Sequence, residues 1–326
     1  MEIVGVVGII GSGELEWKRQ GYRMNATMLQ QFISVEDALT SLFGSGVKIA
    51  GTERVFGGDI NEAYKLVLTD GTCIFMKSNK KENASFFTAE ASGLAAIAKT
   101  GAIGTPHVLG GGVDKSMGRA FLLMGFIEGK ARIKNYWETF AYELAEMHRT
   151  ETGNWTVGGK FGFNGNNYIG ASSQRNEVHD NWISFFRECR LEPQFKKAFH
   201  YFGAGERKKI TKLLEKLEDI LVEPEHPSLL HGDLWSGNVI TGNDGKAWLI
   251  DPAVYVGHGE ADIAMTELFG GFPQIFYDAY KEAAPMQPGY GQRRDLYNLY
   301  HLLNHLNLFG QAYLPSVMGI IGGYRI

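Results

Sequence analysis

The sequence predicts an α+β fold in which a strand-rich segment with one helix precedes a longer, mainly helical segment. Short apolar runs separated by glycine turns lie between residues 48 and 124, a pattern typical of β-strands. One alanine-rich run at residues 85–99 has helical character. Beyond residue 133, apolar residues recur at helical spacing in several segments, which predicts amphipathic helices.

Length and composition restrict the class of protein. The 326-residue chain suits one two-lobed domain or two small domains. Its formal charge of −4 provides no basic footprint for nucleic acid and no polybasic patch for a membrane. Two cysteines, Cys73 and Cys189, cannot form a disulfide framework. We therefore expect a cytoplasmic protein with no nucleic-acid or membrane partner, either a monomer or a weak homodimer.

Residues 1–27 fit the predicted domain least well. Residues 3–10 are apolar but too short to span a membrane, and Glu2 is acidic where a signal peptide is basic. The glycines at residues 8–13 imitate a dinucleotide-binding loop, but no periodic helix follows them. We predict that residues 1–27 are an extension, with the true start at Met24 or Met28.

The first folded segment is predicted to cover residues 28–125. Apolar spacing predicts a helix over residues 29–43 that ends at Gly44. The dipeptide Asp70-Gly71 predicts a tight hairpin turn. Strands are predicted at residues 48–56, 62–68, 72–77, 105–109 and 120–124, the fourth of them at a sheet edge.

Three features of this segment are typical of a nucleotide site. Gly57 and Gly58 lie at a strand turn, where backbone N–H groups can approach phosphates, although an ordinary hairpin loop fits these two residues equally well. Lys77 ends an apolar strand, and Glu90 lies about one turn into the following helix. A buried Lys–Glu pair would orient the amine toward phosphates. Glu82 is the alternative partner for Lys77, in a polar run.

The strongest pattern in the chain is the run Leu230-His231-Gly232-Asp233-Leu234-Trp235-Ser236-Gly237-Asn238, followed by Asp251 after the next strand. The two acids and the amide can converge on a hydroxyl and a metal-bound phosphate. Phosphoryl transfer needs a carboxylate that accepts the alcohol proton and oxygen ligands for Mg²⁺. The catalytic loop of kinases has this layout. The alternative is a turn in which Asp233 and Asn238 cap neighbouring backbone.

The remainder of the chain is mainly helical. A Gly/Asn-rich loop at residues 161–170 either lines the substrate side of a cleft or is an ordinary surface loop. Helices are predicted at residues 133–149, 182–191, 206–221, 261–269, 272–280 and 293–311.

The motif at residues 231–238, with Asp251-Pro252-Ala253 after it, resembles the fructosamine (ketosamine) kinases, relatives of the aminoglycoside and choline kinases. The resemblance extends over residues 29–318. It implies a bilobal protein-kinase-like fold, with a small N-lobe of antiparallel sheet and one helix at residues 28–125 and a larger, mainly helical C-lobe at residues 126–326. It also implies an ATP-dependent 3-kinase of fructosamine or ribulosamine adducts on amines or proteins, whose product releases the amine.

The resemblance also implies a role for each site residue. Asp233 would accept the proton of the sugar 3-hydroxyl, and Asn238 and Asp251 would hold Mg²⁺. Lys77, held by Glu90, would neutralise phosphate charge. The remaining positions are Gly57 and Gly58 over the phosphates, Met124, Phe126, Ile127 and Glu128 at the adenine hinge, Trp235 and Tyr255 beside the sugar, and His231 and Asp262 as structural supports of the loop.

Two other functions remain open from the sequence. A kinase of another small alcohol, such as an aminoglycoside or choline, is disfavoured by Trp235 and by the Asp251-Pro252-Ala253 motif. An inactive nucleotide-binding scaffold is disfavoured because the five positions that the chemistry needs are all intact, namely Lys77, Glu90, Asp233, Asn238 and Asp251. Some family members carry a cysteine in the glycine loop that permits redox control, but Asp59 and Ile60 stand there in this chain, so that control is not implied.

Overall fold

The computed structural model describes residues 29–56 and 60–324. The predicted extension at residues 1–27 and the two loop glycines Gly57 and Gly58 therefore lie outside the described residues.

A six-stranded sheet and two helices make up the N-terminal part of the described chain. The order across the sheet is β1-β5-β6-β4-β3-β2, antiparallel except for the parallel pair β1 and β5. The strands are β1 Gln31–Phe32, β2 Ile49–Val55, β3 Glu62–Leu68, β4 Cys73–Lys80, β5 Val108–Asp114 and β6 Arg119–Gly125, and the helices are α1 Val35–Phe43 and α2 Ala84–Thr100.

The beginning of this part differs from the predicted helix at residues 29–43. Residues 31 and 32 form β1, and α1 starts only after Ser34, whose side chain accepts a hydrogen bond from the backbone N–H of Asp37. This N-cap fixes the helix start. Because β1 pairs with β5, β5 is an interior strand, and the predicted edge strand at residues 105–109 is wrong. Glycine at position 112 permits the pairing, since a Cβ there would overlap the carbonyl oxygen of Phe32.

Strand β4 is longer than the sequence predicts. Lys77 lies inside the strand, opposite Leu122 of β6, and pairing continues to Lys80 opposite Arg119. The sequence did not predict this continuation, because the residues after Lys77 are polar. In the structure, Ser78 and Asn79 are nevertheless buried.

Helix α2 packs against the sheet and also reaches the C-terminal part. Its Phe87 and Leu94 lie in one cluster with Leu122 of β6. At Gly93 the helix approaches the other lobe so closely that an added Cβ would lie 3.2 Å from side-chain carbons of both Pro252 and Val254. A small residue at this position therefore lets α2 contact the segment that follows Asp251.

The C-terminal part is mainly helical, with short two-stranded pairings. Its helices are α3 Tyr136–Arg149, α4 Trp182–Phe185, α5 Glu192–Lys197, α6 Ala204–Glu215, α7 Leu217–Ile220, α8 Glu260–Leu268, α9 Gln274–Ala283, α10 Tyr290–Phe309 and α11 Leu314–Gly323. Its strands are β7 Asn167–Ile169, β8 Ser172–Gln174, β9 Ser228–Leu230, β10 Val239–Thr241, β11 Ala247–Leu249 and β12 Tyr255–Gly257. No helix within the described ranges is long and apolar enough to cross a membrane.

Two predicted helices are interrupted in the structure. The helix predicted at residues 182–191 becomes a π-helical stretch, Phe186–Leu191, after α4, and Pro193 lies in the first turn of α5. A proline cannot donate the backbone hydrogen bond that continues an α-helix, which accounts for the wider turn before it. The helix predicted at residues 206–221 is divided into α6 and α7 at Lys216.

Strand β9, which leads into the loop at residues 231–238, lies between two hydrophobic cores. Leu229 belongs to the core built around α3 and α9, and Leu230 belongs to the core built around α4, α6 and α10. Both leucines are fully buried. Because successive side chains of a strand point to opposite faces, these two leucines anchor β9 in both cores and so fix the start of the loop that follows it.

Candidate active site

The loop at residues 231–238 is a tight turn that only glycine permits at its second position. Gly232 has a φ of 81°, and a Cβ there would overlap the carbonyl oxygen of Ala253. The backbone N–H of Ala253 donates to the carbonyl of His231 at 2.9 Å. The loop at residues 231–238 and the segment after Asp251 are therefore in direct backbone contact.

Asp262, at the start of α8, holds the first residues of this loop. Its carboxylate accepts the backbone N–H groups of His231, at 2.6 Å, and Gly232, at 2.9 Å. The imidazole of His148 lies 3.2 Å from the same carboxylate and 2.7 Å from the hydroxyl of Tyr280. Burial opposes ionisation of Asp262, but hydrogen bonding by His148 and the backbone outweighs it and lowers the pKa. Asp262 is thus an ionised acceptor beneath the loop.

His231 is a neutral histidine with a fixed tautomer. Its Nε2 lies 2.9 Å from the carbonyl of Ile250, and its Nδ1 receives the backbone N–H of Asp233 at 3.2 Å. The first contact requires a proton on Nε2 and the second a lone pair on Nδ1. Burial lowers the pKa of His231, in agreement with this neutral form. The imidazole therefore ties the loop to the end of β11 and orients the backbone of Asp233.

Asp233 and Asn238 form the next contact. The Nδ2 amide of Asn238 donates to the backbone carbonyl of Asp233 at 2.8 Å and to its carboxylate at 3.1 Å. Burial raises the pKa of Asp233 to about 7; the hydrogen bond from Asn238 opposes the rise, and the charges of Asp251 and Asp262 add to it. Because the amide N–H₂ group of Asn238 is directed at Asp233, its side-chain oxygen Oδ1 points elsewhere and can bind another ligand.

Lys77 joins the two lobes at the site. Its ammonium nitrogen lies 2.6 Å from Glu90 of α2 and also contacts the carboxylate of Asp251. Burial favours the neutral amine, but the charges of Glu90 and Asp251 outweigh it and raise the pKa of Lys77 above its usual value. For Glu90, burial raises the pKa and the charge of Lys77 opposes the rise. The amine is therefore a fixed positive charge between the lobes.

Asp251 has an uncommon backbone conformation. It is the one non-glycine residue with positive φ, at 54°, in the part of the chain that the structure describes. Aspartate tolerates this region better than most residues, at a cost of about 1 kcal/mol. Its side chain is 44% exposed, whereas that of Lys77 is 9% exposed. The carboxylate of Asp251 is thus open to a ligand on one side.

Asn238 and Asp251 together are suited to Mg²⁺ but not to a metal held by protein alone. Mg²⁺ commonly binds through one or two protein oxygens together with substrate phosphates and water. Within the described residues there is no group of three or more His, Cys, Asp or Glu side chains that could hold a metal. The oxygen of Asn238 and the open carboxylate of Asp251 match the phosphate-assisted type of site.

The segment after β6 contains the predicted hinge residues. Met124 is buried in the sheet, and the N–H of Gly125 is already engaged with the carbonyl of His107 at 2.8 Å. Phe126 lies beneath the ammonium group of Lys65, 4.9 Å from its ring centre. Within this predicted hinge segment, the N–H of Gly125 is therefore already paired with the protein itself.

Asn243 supports this hinge and was not identified from the sequence. Its Oδ1 accepts the backbone N–H groups of Glu128, at 3.1 Å, and Gly129, at 3.3 Å. Asn243 lies in the turn between β10 and β11, the hairpin that starts after Asn238 and ends before Asp251. The turn sequence Gly-Asn-Asp-Gly predicts a hairpin, but nothing in it indicates this distant contact.

Trp235 and Tyr255 occupy different environments. Trp235 is 37% exposed, its ring covers Gly237 and meets Phe269 edge-on at 6.3 Å. Tyr255 is only 2% exposed, and the guanidinium of Arg190 lies 3.9 Å from its ring centre. Burial leaves the ring of Tyr255 little surface for a ligand, so its contact with a sugar stays a prediction.

The comparisons with known proteins agree with this geometry. The model of the fructosamine kinase family matches residues 31–324. The chain belongs to this family. The predicted catalytic loop and the Lys77–Glu90 pair lie within the matched residues, and the match confirms the resemblance inferred from the motifs.

Relatives in this family include enzymes of bacteria and plants. A protein of Synechocystis assigned as a ketoamine kinase is 39% identical over 284 residues, covering 86% of this chain and 92% of the relative. A chloroplastic protein-ribulosamine 3-kinase of Oryza sativa is 39% identical over 286 residues, covering 86% of this chain and 80% of the relative.

Solved structures confirm the predicted bilobal protein-kinase-like fold. A crystal structure from Haemophilus somnus, assigned as a fructosamine-3-kinase, superposes with a TM-score of 0.79 at 31% identity and covers 89% of this chain and 96% of its own. A choline kinase of Streptococcus pneumoniae shares the fold at 15% identity, with a TM-score of 0.54, covering 89% of this chain and 98% of its own.

Proposed function

We propose that this protein is an ATP-dependent ketosamine 3-kinase that phosphorylates the sugar 3-hydroxyl of fructosamine or ribulosamine adducts. Family membership supports the reaction class. The observation that carries the proposal is the connection of Glu90 and Asp251, from different lobes, through the amine of Lys77. Such an amine between a helix carboxylate and a metal-binding carboxylate is the charge arrangement that phosphoryl transfer uses.

Asp233 is the proton acceptor in this proposal. Its carboxylate is held by the amide of Asn238, and burial raises its pKa to about 7. A base with a pKa near the working pH combines a large ionised fraction with the strongest driving force for proton transfer. In a loose transition state proton removal is late, so the position of this carboxylate matters as much as its basicity.

The nucleotide lies between the lobes in this proposal. Lys77 neutralises phosphate charge, and the hinge around Phe126 and Ile127 contacts adenine, with Met124 and Glu128 flanking them. Gly57 and Gly58 stay predicted phosphate contacts. Asn238 and Asp251 hold Mg²⁺, which when bound neutralises charge on the transferred phosphoryl group.

The acceptor lies beside the catalytic loop. The ring of Trp235 is exposed enough for a sugar or its amine substituent to stack on it. Its position two residues after Asp233 also favours contact with the acceptor. We propose a small-molecule or protein-bound ketosamine as acceptor and a monomer or weak homodimer acting in the cytoplasm. The N-lobe then covers residues 28–125 and the C-lobe residues 126–326.

An ATP-consumption panel tests the proposed substrate class. Fructosyl and ribulosyl adducts of an amine, choline and an aminoglycoside are each supplied with ATP and Mg²⁺, and ADP release is followed. We expect turnover with at least one ketosamine and only background with the other alcohols. Turnover of choline or the aminoglycoside alone would move the protein to the kinases of other small alcohols. No turnover of any of the alcohols, in a protein that binds ADP in a separate titration, would favour the inactive scaffold.

The raised pKa of Asp233 predicts the pH dependence of the reaction. The ionised carboxylate is the active form, so activity is present above the pKa and is lost as the pH falls through it. We expect the acidic limb of kcat/KM for the ketosamine to have an apparent pKa near 7, well above the ordinary value of about 3.9. An acidic limb below pH 5 in a protein that remains folded would contradict this assignment.

A further inference from the structure

A short hairpin, β7 and β8, lies between the two lobes beside the proposed site. It comprises residues 167–174 and pairs Asn167 with Gln174 and Tyr168 with Ser173. The sequence left open whether the Gly/Asn-rich segment at residues 161–170, which contains β7, lines the cleft or is a surface loop. The contacts of its two faces indicate a different role.

The inner face of the hairpin is bonded to the segment that follows Asp251. The amide of Gln174 donates to the carbonyl of Ala253 at 3.0 Å, and that of Asn167 donates to the carbonyl of Val254 at 2.7 Å. Both amides are buried, with Gln174 2% exposed and Asn167 6% exposed. Two successive carbonyls, two and three residues after Asp251, are therefore held by side chains of the hairpin.

The orientation of these amides is fixed by further hydrogen bonds. The hydroxyl of Tyr300 in α10 donates to the Oε1 of Gln174 at 2.6 Å. Gln174 also donates to the Oδ1 of Asn167 at 2.7 Å, and Asn176 donates to the same oxygen at 2.9 Å. The fully buried guanidinium of Arg190 in turn donates to Asn176 at 2.7 Å. Each amide can therefore present only its N–H₂ group to the carbonyls.

The outer face of the hairpin contacts the N-lobe helix that carries Glu90. The hydroxyl of Tyr168 lies 2.8 Å from that of Ser85, and its ring is 4.2 Å from that of Phe86. Ser85 and Phe86 lie about one turn before Glu90 in α2. The hairpin thus bridges the helix of one proposed nucleotide contact and the segment of a proposed metal ligand.

Asp251 needs such support. Its positive φ is a strained conformation for a residue other than glycine, and such residues persist where their surroundings fix them. On its N-terminal side, the carbonyl of Ile250 is held by His231. On its C-terminal side, the hairpin holds Ala253 and Val254.

We propose that Gln174 and Asn167 are positioning residues for the metal ligand Asp251, and that the hairpin which carries them sets this ligand against the Glu90 helix. This inference rests on the proposed nucleotide and Mg²⁺ site, since the hairpin acts on that site through Asp251. Residues that orient a metal ligand typically change metal affinity by about 10–100-fold when they are altered.

The test measures how much Mg²⁺ strengthens ADP binding. The Kd of ADP is determined by titration calorimetry in excess EDTA and in excess Mg²⁺, and the ratio of the two values is compared between variants. Gln174→Met keeps the volume of the side chain but removes its hydrogen bonds. We expect this variant to lower the ratio by about tenfold, with the Kd in EDTA nearly unchanged.

Two further variants keep the test decisive if Gln174→Met folds poorly. Tyr300→Phe removes only the hydroxyl that orients Gln174 and is expected to lower the ratio in the same direction. Tyr168→Ala removes the contact with α2 and is also expected to lower the ratio.

Leu213→Ala is the matched control for lost stability, because this buried leucine of α6 lies in the hydrophobic core and makes none of these contacts. Its ratio should equal that of the parent.

The outcomes separate this inference from the proposed function. If the parent protein binds ADP equally with and without Mg²⁺, the proposed metal site itself is wrong. If the parent shows strengthening by Mg²⁺ and folded Gln174→Met and Tyr300→Phe variants keep its full ratio, the positioning role is wrong. An equal fall of the ratio in Leu213→Ala would also overturn it, since the effect would then follow from lost stability.

Discussion

Replacement of Asp233 by Asn is expected to lower kcat for ketosamine phosphorylation by about 10²–10⁴-fold, the usual contribution of a general base. An asparagine keeps the size of the side chain and can still accept the hydrogen bond that Asn238 donates to Asp233. It cannot accept the proton of the sugar hydroxyl. The Kd of ADP in the presence of Mg²⁺ should change little, because Asp233 is not a proposed nucleotide ligand.

The control for this variant is Asp244→Asn. Asp244 is also an aspartate of the C-lobe that accepts hydrogen bonds, from the backbone of Lys246 at 3.0 Å and from Trp248 at 3.1 Å, but it lies in the exposed turn after β10. Its kcat should match that of the parent. Equal turnover by Asp233→Asn and the parent would exclude Asp233 as the base.

Replacement of Asp251 by Asn is expected to lower kcat/KM by about 10²–10³-fold. A metal ion that neutralises phosphoryl charge contributes several kcal/mol, and each 1.36 kcal/mol corresponds to about tenfold in rate. The variant also removes one of the two carboxylates that hold Lys77. Mg²⁺ should therefore strengthen ADP binding much less in this variant than in the parent, as calorimetry with and without EDTA can show.

Asp70→Asn is the matched control for this second variant. Asp70 lies in the exposed turn between β3 and β4, where its carboxylate accepts the backbone N–H of Thr72 at 2.9 Å. Its removal should leave both kcat/KM and the effect of Mg²⁺ unchanged. Unaltered Mg²⁺ dependence in Asp251→Asn would contradict the assignment of this residue to the metal.

The site residues that could be predicted from the sequence are those that lie close together along the chain. The catalytic loop is read directly from five-residue spacing between Asp233 and Asn238. The Lys77–Glu90 pair follows from a strand and the next helix, and these residues are only 13 positions apart. Local order in the chain was therefore sufficient to place both halves of the proposed site.

Contacts across the chain could not be predicted in this way. Asn167 and Gln174 reach the segment after Asp251 across 87 and 79 positions, and amides in a Gly/Asn-rich run have many possible partners. His148 reaches Asp262 across 114 positions. The pairing of β1 with β5 depends on glycines that are equally typical of a turn. Each of these depends on tertiary packing rather than on local pattern.

The burial of Tyr255 illustrates the same limit. Its position shortly after the Asp251 motif favoured the cleft, but its ring is buried in the core beneath Arg190. Trp235, within the loop itself, remains exposed. Proximity in sequence to the predicted catalytic motif thus does not by itself predict whether a side chain is exposed or buried.

The central claim is tested most directly by phosphorus and proton NMR of the product formed from a ribulosyl or fructosyl amine with ATP and Mg²⁺. The proposed function predicts one phosphate ester whose phosphorus couples to the proton on carbon 3 of the sugar. It also predicts loss of this signal in Asp233→Asn. A phosphate on another position of the sugar, or release of inorganic phosphate from ATP while the sugar adduct stays intact, would contradict it.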